Sequence, residues 1–198
     1  MTLYPAPANT GIVFVLKTEK GRRFIQGDPG KVHETTLATC LSDGECSVGT
    51  VEHVLAALMG MSVDNIHIEV DSNEIPIMDG SAASFVYLLQ QAGIVCQQAR
   101  KRVYRLKRPV DFCMDGKRIT ATPASGLSVS YAIEYDHPLI GRQEFSFELG
   151  EESFIKSLCK ARTFAFLDDV EAMRANGLAL GGSLDNALVM DGSDVLNT

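Results

Sequence analysis

Basic residues are in deficit: 18 lysines and arginines stand against 25 aspartates and glutamates, a formal net charge of -7 with an isoelectric point of about 5.1. Such a chain has no general attraction for phosphate backbones or anionic lipid surfaces. With aromatic residues at only 7%, it also lacks the basic, aromatic-interleaved face that an RNA-binding module needs. No apolar run approaches the ~18 residues required to span a bilayer, so no transmembrane segment is expected. The five cysteines, Cys40, Cys46, Cys96, Cys113 and Cys159, are odd in number and form no C-x-x-C pair. That pattern suggests neither a disulfide framework nor a thiolate zinc site, and makes a reducing compartment the natural setting. Residues 1–20 lack the basic segment, apolar stretch and small-residue cleavage site of a secretory signal, which leaves the cytoplasm as the expected location.

What is present is an ordinary globular composition of 198 residues, 45% hydrophobic and 22% charged, long enough to bury a core in one or two domains. Met1-Thr2-Leu3-Tyr4 reads as the end of a strand. Residues 12–16 (Ile-Val-Phe-Val-Leu) fit a buried strand, and residues 32–41 are strand-like before a turn at Ser42-Asp43-Gly44. Thr50 is placed to cap a helix running to Gly60, with Val51, Val54, Leu55 and Leu58 forming its apolar stripe. Residues 66–70 alternate as a strand, Ile75 to Met78 read as a second extended piece, and a helix over residues 82–92 ends at Gly93. Residues 97–102 are polar and basic, suiting a linker. Beyond them, strands are predicted over 103–114 and 117–122 around the hairpin signal Asp115-Gly116, and over 127–135; helices are predicted over 151–160 and 168–176. The order of strands followed by helix in both halves makes the fold class α+β.

Glu52 and His53 fall together in the first turn of the capped helix, about 100° apart around its axis, so both can border one site. A zinc hydrolase needs a neutral imidazole as ligand and a carboxylate as base, and the positive end of the helix dipole disfavours imidazolium there. For an isolated Glu-His pair the bland alternative weighs more: a carboxylate complementing the dipole beside a surface histidine. His33, His67 and His137 have no i, i+4 partner, and His67 lies on the polar side of its strand. The cysteines and the apolar residues Val170, Met173, Leu178, Leu180 and Leu188 read as core. Gly181-Gly182 matches neither a phosphate-binding loop nor a dinucleotide fingerprint.

Taken in order, several segments closely resemble the UDP-3-O-acyl-N-acetylglucosamine deacetylase family, the zinc amidohydrolases of lipid A biosynthesis. They are Pro5 to Gly11, Thr50-Val51-Glu52-His53-Val54-Leu55-Ala56-Ala57-Leu58, Asp64-Asn65, Glu74 through Ala83, Ala161-Arg162-Thr163-Phe164 and Gly177 through Ala187. The resemblance implies two tandem two-layer α/β sandwich domains, similar to domain 2 of ribosomal protein S5. These would be residues 1–99, lacking a first strand, and residues 100–198, incomplete, with an insert at about 167–197 forming an acyl passage. By motif position it implies His53 as a zinc ligand, Glu52 as general base and Thr163 as hydrogen-bond donor to the developing oxyanion. Tyr135 would stack on uracil, with Leu37 and Phe164 also at the substrate; Val170, Ala179, Gly182, Ser183, Leu184 and Val189 would line the acyl passage. The partner implied is the UDP-linked acylated glucosamine, without nucleic acid, and the complete protein is expected to be a monomer. The family's His-Lys-x-x-x-Asp segment and a further catalytic histidine are absent from these 198 residues, as is the Gly-x-His loop before Leu3. The chain is therefore expected to be an internal fragment that binds Zn2+ weakly and turns over poorly. A non-catalytic binding or scaffold protein of the same fold is the competing expectation.

Overall fold

The computed structural model describes residues 1–170, 181–192 and 194–197. Its first half is built around strands β1 (Thr2–Pro5), β2 (Ile12–Thr18) and β3 (Gly21–Gln26). Strands β4 (Val32–Glu34), β5 (Cys40–Ser42) and β6 (Ser47–Val48) follow, then helix α1 (Glu52–Gly60), β7 (Ile66–Val70) and α2 (Ala83–Ala92). A mixed sheet runs in the order β1-β7-β2-β3. β7 pairs parallel with β2, Phe14 opposite Ile68, and antiparallel with β1, Leu3 opposite Ile68; β2 and β3 are antiparallel with Phe14 opposite Ile25. β2 is apolar on both faces because it is a central strand, and Val13, Phe14, Val15 and Leu16 are all buried.

Both helices close one face of this sheet. α1 contributes Val54, Ala57 and Leu58 and α2 contributes Phe85, Val86 and Leu89 to a core with Phe14, Ile25 and Ile68. Each such fully buried side chain contributes about 1.5–3 kcal/mol relative to exposure. On β7 the carboxylate of Glu69, 8% exposed, accepts from Lys17 Nζ at 2.8 Å and from Arg22 Nη2 at 3.0 Å, joining three neighbouring strands. The Lys17 bond, against the opposing effect of burial, holds its pKa below the usual carboxylate value.

The second half adds strands β8 (Val110–Met114), β9 (Lys117–Ala121), β10 (Ser128–Glu134) and β11 (Arg142–Glu148), and helix α3 (Glu151–Ser157). It ends with β12 (Phe164–Phe166), β13 (Leu188–Asp191) and β14 (Asp194–Val195). β8 and β9 form a hairpin turned by Asp115 (φ 51°) and Gly116 (φ 74°), the two left-handed positions of a type I′ turn. β10 and β11 form a second hairpin, and β12 pairs parallel with β13. α3 packs on α1: Phe154 and Cys159 are buried in the core cluster of the first half. The α+β class expected from the sequence is the one observed, and no described helix is long and apolar enough to cross a membrane.

Several sequence expectations need correction. Residues 75–78 are not a strand, since Glu74 alone forms a bridge, to Gly49. Residues 93–109 carry no regular secondary structure, so the first strand after the linker starts at Val110 rather than at 103. β11 was not expected, and α3 stops at Ser157, short of Lys160. Cys159 is core, but Cys96 and Cys113 are exposed, and His67 is half-buried rather than solvated. Residues 167–170 are helical, while the remainder of the helix expected over 168–176, with Met173, Leu178 and Leu180, lies outside the described residues.

Candidate active site

The start of α1 is set by a sharp reversal of the chain. Thr50 is buried and has φ +57°, in the left-handed region that β-branched residues avoid. Its hydroxyl does not cap the helix: it donates to Glu74 Oε1 at 2.7 Å, and the N-cap residue is Val51, which has no side-chain cap bond. Gly49 N donates to Asn73 O at 2.9 Å and Ile75 N donates to Gly49 O at 3.0 Å, so the segment before α1 is pinned to the one after β7.

Glu52 and His53 emerge from this turn, both half-buried. The backbone of Thr39 holds the helix start twice: its carbonyl accepts from Val51 N at 3.3 Å and its N–H donates to Glu52 Oε2 at 3.0 Å. One carboxylate oxygen of Glu52 is thereby fixed and Oε1 is left for another partner. Leu37, 65% exposed with φ +65°, belongs to the same short segment two residues upstream of Thr39. Burial first, then the carboxylate of Glu34, raises the pKa of the Cys40 thiol, and Glu52 and Glu74 add to this.

Thr163 is placed by backbone bonds to both halves of the chain. Its N–H donates to Gly80 O at 2.8 Å, and its carbonyl accepts from Leu188 N at 3.0 Å, starting the parallel pairing of β12 and β13. Gly80 (φ +77°) follows Asp79, whose carboxylate accepts from the hydroxyls of Ser81 and Ser84, each at 3.0 Å, ahead of α2. Burial raises the Asp79 pKa, but these bonds together outweigh it and hold the carboxyl below its ordinary value.

Tyr135 packs edge-on against Phe164, ring centroids 5.5 Å apart, and Phe166 lies 5.0 Å from the His137 ring. Tyr135, His137 and Phe166 border an open cleft of about 600 Å³, also lined by Asp168, Met190 and Asp191. The structure therefore brings Tyr135 and Phe164 together, and links Leu37 to Glu52 through Thr39. Of the residues expected at an acyl passage, Val170 and Gly182 are half-buried, Leu184 is 48% exposed and Val189 is buried on β13. Ser183 is exposed; its N–H donates to Asn186 Oδ1 at 2.8 Å, while Asn197 Nδ2 donates to the carbonyl of Leu184 and, at 2.7 Å, to that of Ala187. Ala179 lies outside the described residues.

Among the described residues no three His, Cys, Asp or Glu side chains converge as a metal site. His53 is one imidazole, and a catalytic zinc takes three protein ligands, so these residues do not by themselves fit the ion. Three features escaped sequence reasoning: the Thr39 amide on Glu52, the Thr50–Glu74 bond and the seat at Gly80. The first two join residues 13 and 24 positions apart, and no local pattern encodes them.

The family model described as UDP-3-O-acyl N-acetylglycosamine deacetylase matches residues 1–198. A UDP-3-O-acyl-N-acetylglucosamine deacetylase from Oleidesulfovibrio alaskensis is 55% identical over 197 residues, covering 100% of this chain and 65% of the relative. Its namesake from Nitratidesulfovibrio vulgaris is 53% identical, covering 100% and 64%. That from Acidithiobacillus ferrooxidans is 48% identical, covering 98% and 65%. The chain thus spans about 65% of the length of these curated relatives.

Proposed function

This chain belongs to the UDP-3-O-acyl N-acetylglycosamine deacetylase family, and from that premise we propose that it carries part of the active centre of a zinc-dependent amidohydrolase. Its substrate is the UDP-linked 3-O-acyl-N-acetylglucosamine from which the N-acetyl group is removed, a cytoplasmic step of lipid A biosynthesis. The observation that supports this reading best is Glu52, held through one carboxylate oxygen by the Thr39 amide, beside His53 at a helix start. The curated relatives bear the name of that activity.

In this reading Glu52 is the general base. Its carboxylate takes a proton from water as the water oxygen bonds to the acetamide carbonyl carbon, and then passes the proton to the departing nitrogen as the C–N bond breaks; the remaining hydroxyl proton of the acetic acid goes to the amine, giving acetate and the ammonium form of the glucosamine. The Thr163 hydroxyl donates to the oxyanion, and its position is fixed by backbone bonds to Gly80 and Leu188. His53 would be the ligand this chain offers to zinc, which would supply Lewis acidity at the carbonyl and the water. One imidazole is fewer than the three protein ligands a catalytic zinc takes, so residues 1–198 by themselves would hold the ion weakly. Tyr135 stacks on the uracil, Phe164 contacts the substrate, and Leu37 lies near the reacting group. Val170, Gly182, Ser183, Leu184 and Val189 line the acyl passage. The chain divides into domains at about residue 99, within the irregular stretch 93–109.

The test is Glu52→Gln in the zinc-loaded holoenzyme that contains these residues. The amide keeps the acceptor for Thr39 and removes the base, so zinc content is unchanged and kcat falls by ~10²–10⁴-fold. Near-normal turnover overturns the assignment.

A further inference from the structure

Thr50 sits in a conformation that costs a β-branched residue about 1–3 kcal/mol, two positions before Glu52 and three before His53, on which the proposed chemistry depends. A threonine at this place in the sequence is the residue type that caps helices, yet its hydroxyl is turned away from α1 and spent on Glu74, 24 residues downstream. The backbone on either side is locked as well, by Gly49 N to Asn73 O and Ile75 N to Gly49 O. The strain persists because the surroundings over-determine it.

We infer that Thr50 and Glu74 are positioning residues for Glu52, their hydroxyl–carboxylate bond fixing the turn from which α1 departs and so the direction in which the Glu52 carboxylate points. The geometry transmits this in two steps. The bond pins residue 50 in the left-handed turn, which brings Val51 N to Thr39 O at 3.3 Å; that registers the N–H of the same residue, Thr39, on Glu52 Oε2 at 3.0 Å. If residue 50 relaxes toward an ordinary conformation, α1 starts elsewhere and the Thr39 amide no longer meets the carboxylate. A displacement of about 1 Å at a catalytic group can cost ~10²-fold in rate. Glu74 makes this contact from an exposed position, so it can be altered without opening the core.

The inference rests on the proposed role of Glu52, and two measurements separate them. The first reads the 198-residue chain directly, by amide hydrogen exchange. In Thr50→Val and in Glu74→Ala the Thr39 amide exchanges about tenfold faster or more, while amides of β2 and β7 keep their rates. Thr50→Ser and Glu74→Gln, which keep a donor and an acceptor, restore the slow exchange. The second reads the zinc-loaded holoenzyme: Thr50→Val and Glu74→Ala lower kcat by about tenfold or more with KM and zinc content unchanged, and the two conservative variants recover most of it. Unchanged Thr39 exchange in both disruptive variants, or unchanged kcat in both when the parent is active, overturns the inference. A zinc-loaded parent without deacetylase turnover overturns the proposed function instead, and the exchange arm still decides whether Thr50 and Glu74 hold Glu52. Should Thr50→Val fail to fold, Glu74→Ala decides both arms.

Discussion

The carbonyl oxygen of Asn186 rests against the bare α-carbon of Gly80, so closely that a β-carbon built on Gly80 would lie 1.8 Å from it. Gly80 also accepts from Thr163 N, so one glycine seats the starts of both β12 and β13 against the turn before α2. With φ +77° it would be strained by any L side chain even in open space.

Gly80→Ala is accordingly expected to destabilise the protein by about 2–4 kcal/mol, from backbone strain together with displacement of Asn186. The denaturant midpoint falls, and the Thr163 amide exchanges faster than amides of β2. A midpoint within experimental error of the parent would show that Asn186 moves aside freely.

Gly60, the last residue of α1, faces Phe154 of α3, and a β-carbon there would lie 2.2 Å from the ring. Alanine is favoured over glycine in a helix by about 0.5–1 kcal/mol, but the overlap outweighs this, and Gly60→Ala alone should cost about 1–3 kcal/mol. In a Phe154→Ala background the same substitution should become neutral or stabilising. The sign change in a double-mutant cycle of unfolding free energies is the measurement, and additive effects would refute the contact.

Asp111 on β8 is held at a pKa of about 2 by hydrogen bonds from Arg118, the larger effect, and Thr120 on β9. Because the folded pKa lies below the unfolded value of 3.8, the contribution of this cluster to the hairpin is complete above that value and is lost as pH falls through about 2. A carboxyl titration followed by NMR should give the low midpoint in the parent and a midpoint near the ordinary value in Arg118→Ala. An Asp111 that titrates normally in the parent would show that the bidentate pair is not formed in solution.

The parts of the fold legible in the sequence are those whose signal is local. The apolar run of β2, the i, i+3, i+4 stripe of α1 and the Asp115-Gly116 turn each follow from the nearest few residues. β11 escaped because its case rests on its partner: Phe145 and Phe147 make sense only opposite Tyr131 and Val129. Thr50 misled for the same reason, since capping is a local preference and its hydroxyl had a better partner 24 residues away. At the candidate site the motif could nominate Glu52 and His53, whereas what orients Glu52 is a backbone amide, which has no side-chain signature.

Glu69 gives the central sheet a means of rejecting wrong alignments. It is flanked on β7 by Ile68 and Val70, which point to the opposite face, so a slip of one residue against β2 would drive its carboxylate into the apolar core. Only the native alignment presents Lys17 and Arg22 to it together. A burial-driven pairing of β2 with β7 is tolerant by itself, because apolar strands slide past one another at little cost. The single carboxylate makes it intolerant, converting a misaligned collapse into a buried unpaired charge that the chain must undo before α1 and α2 can close over it.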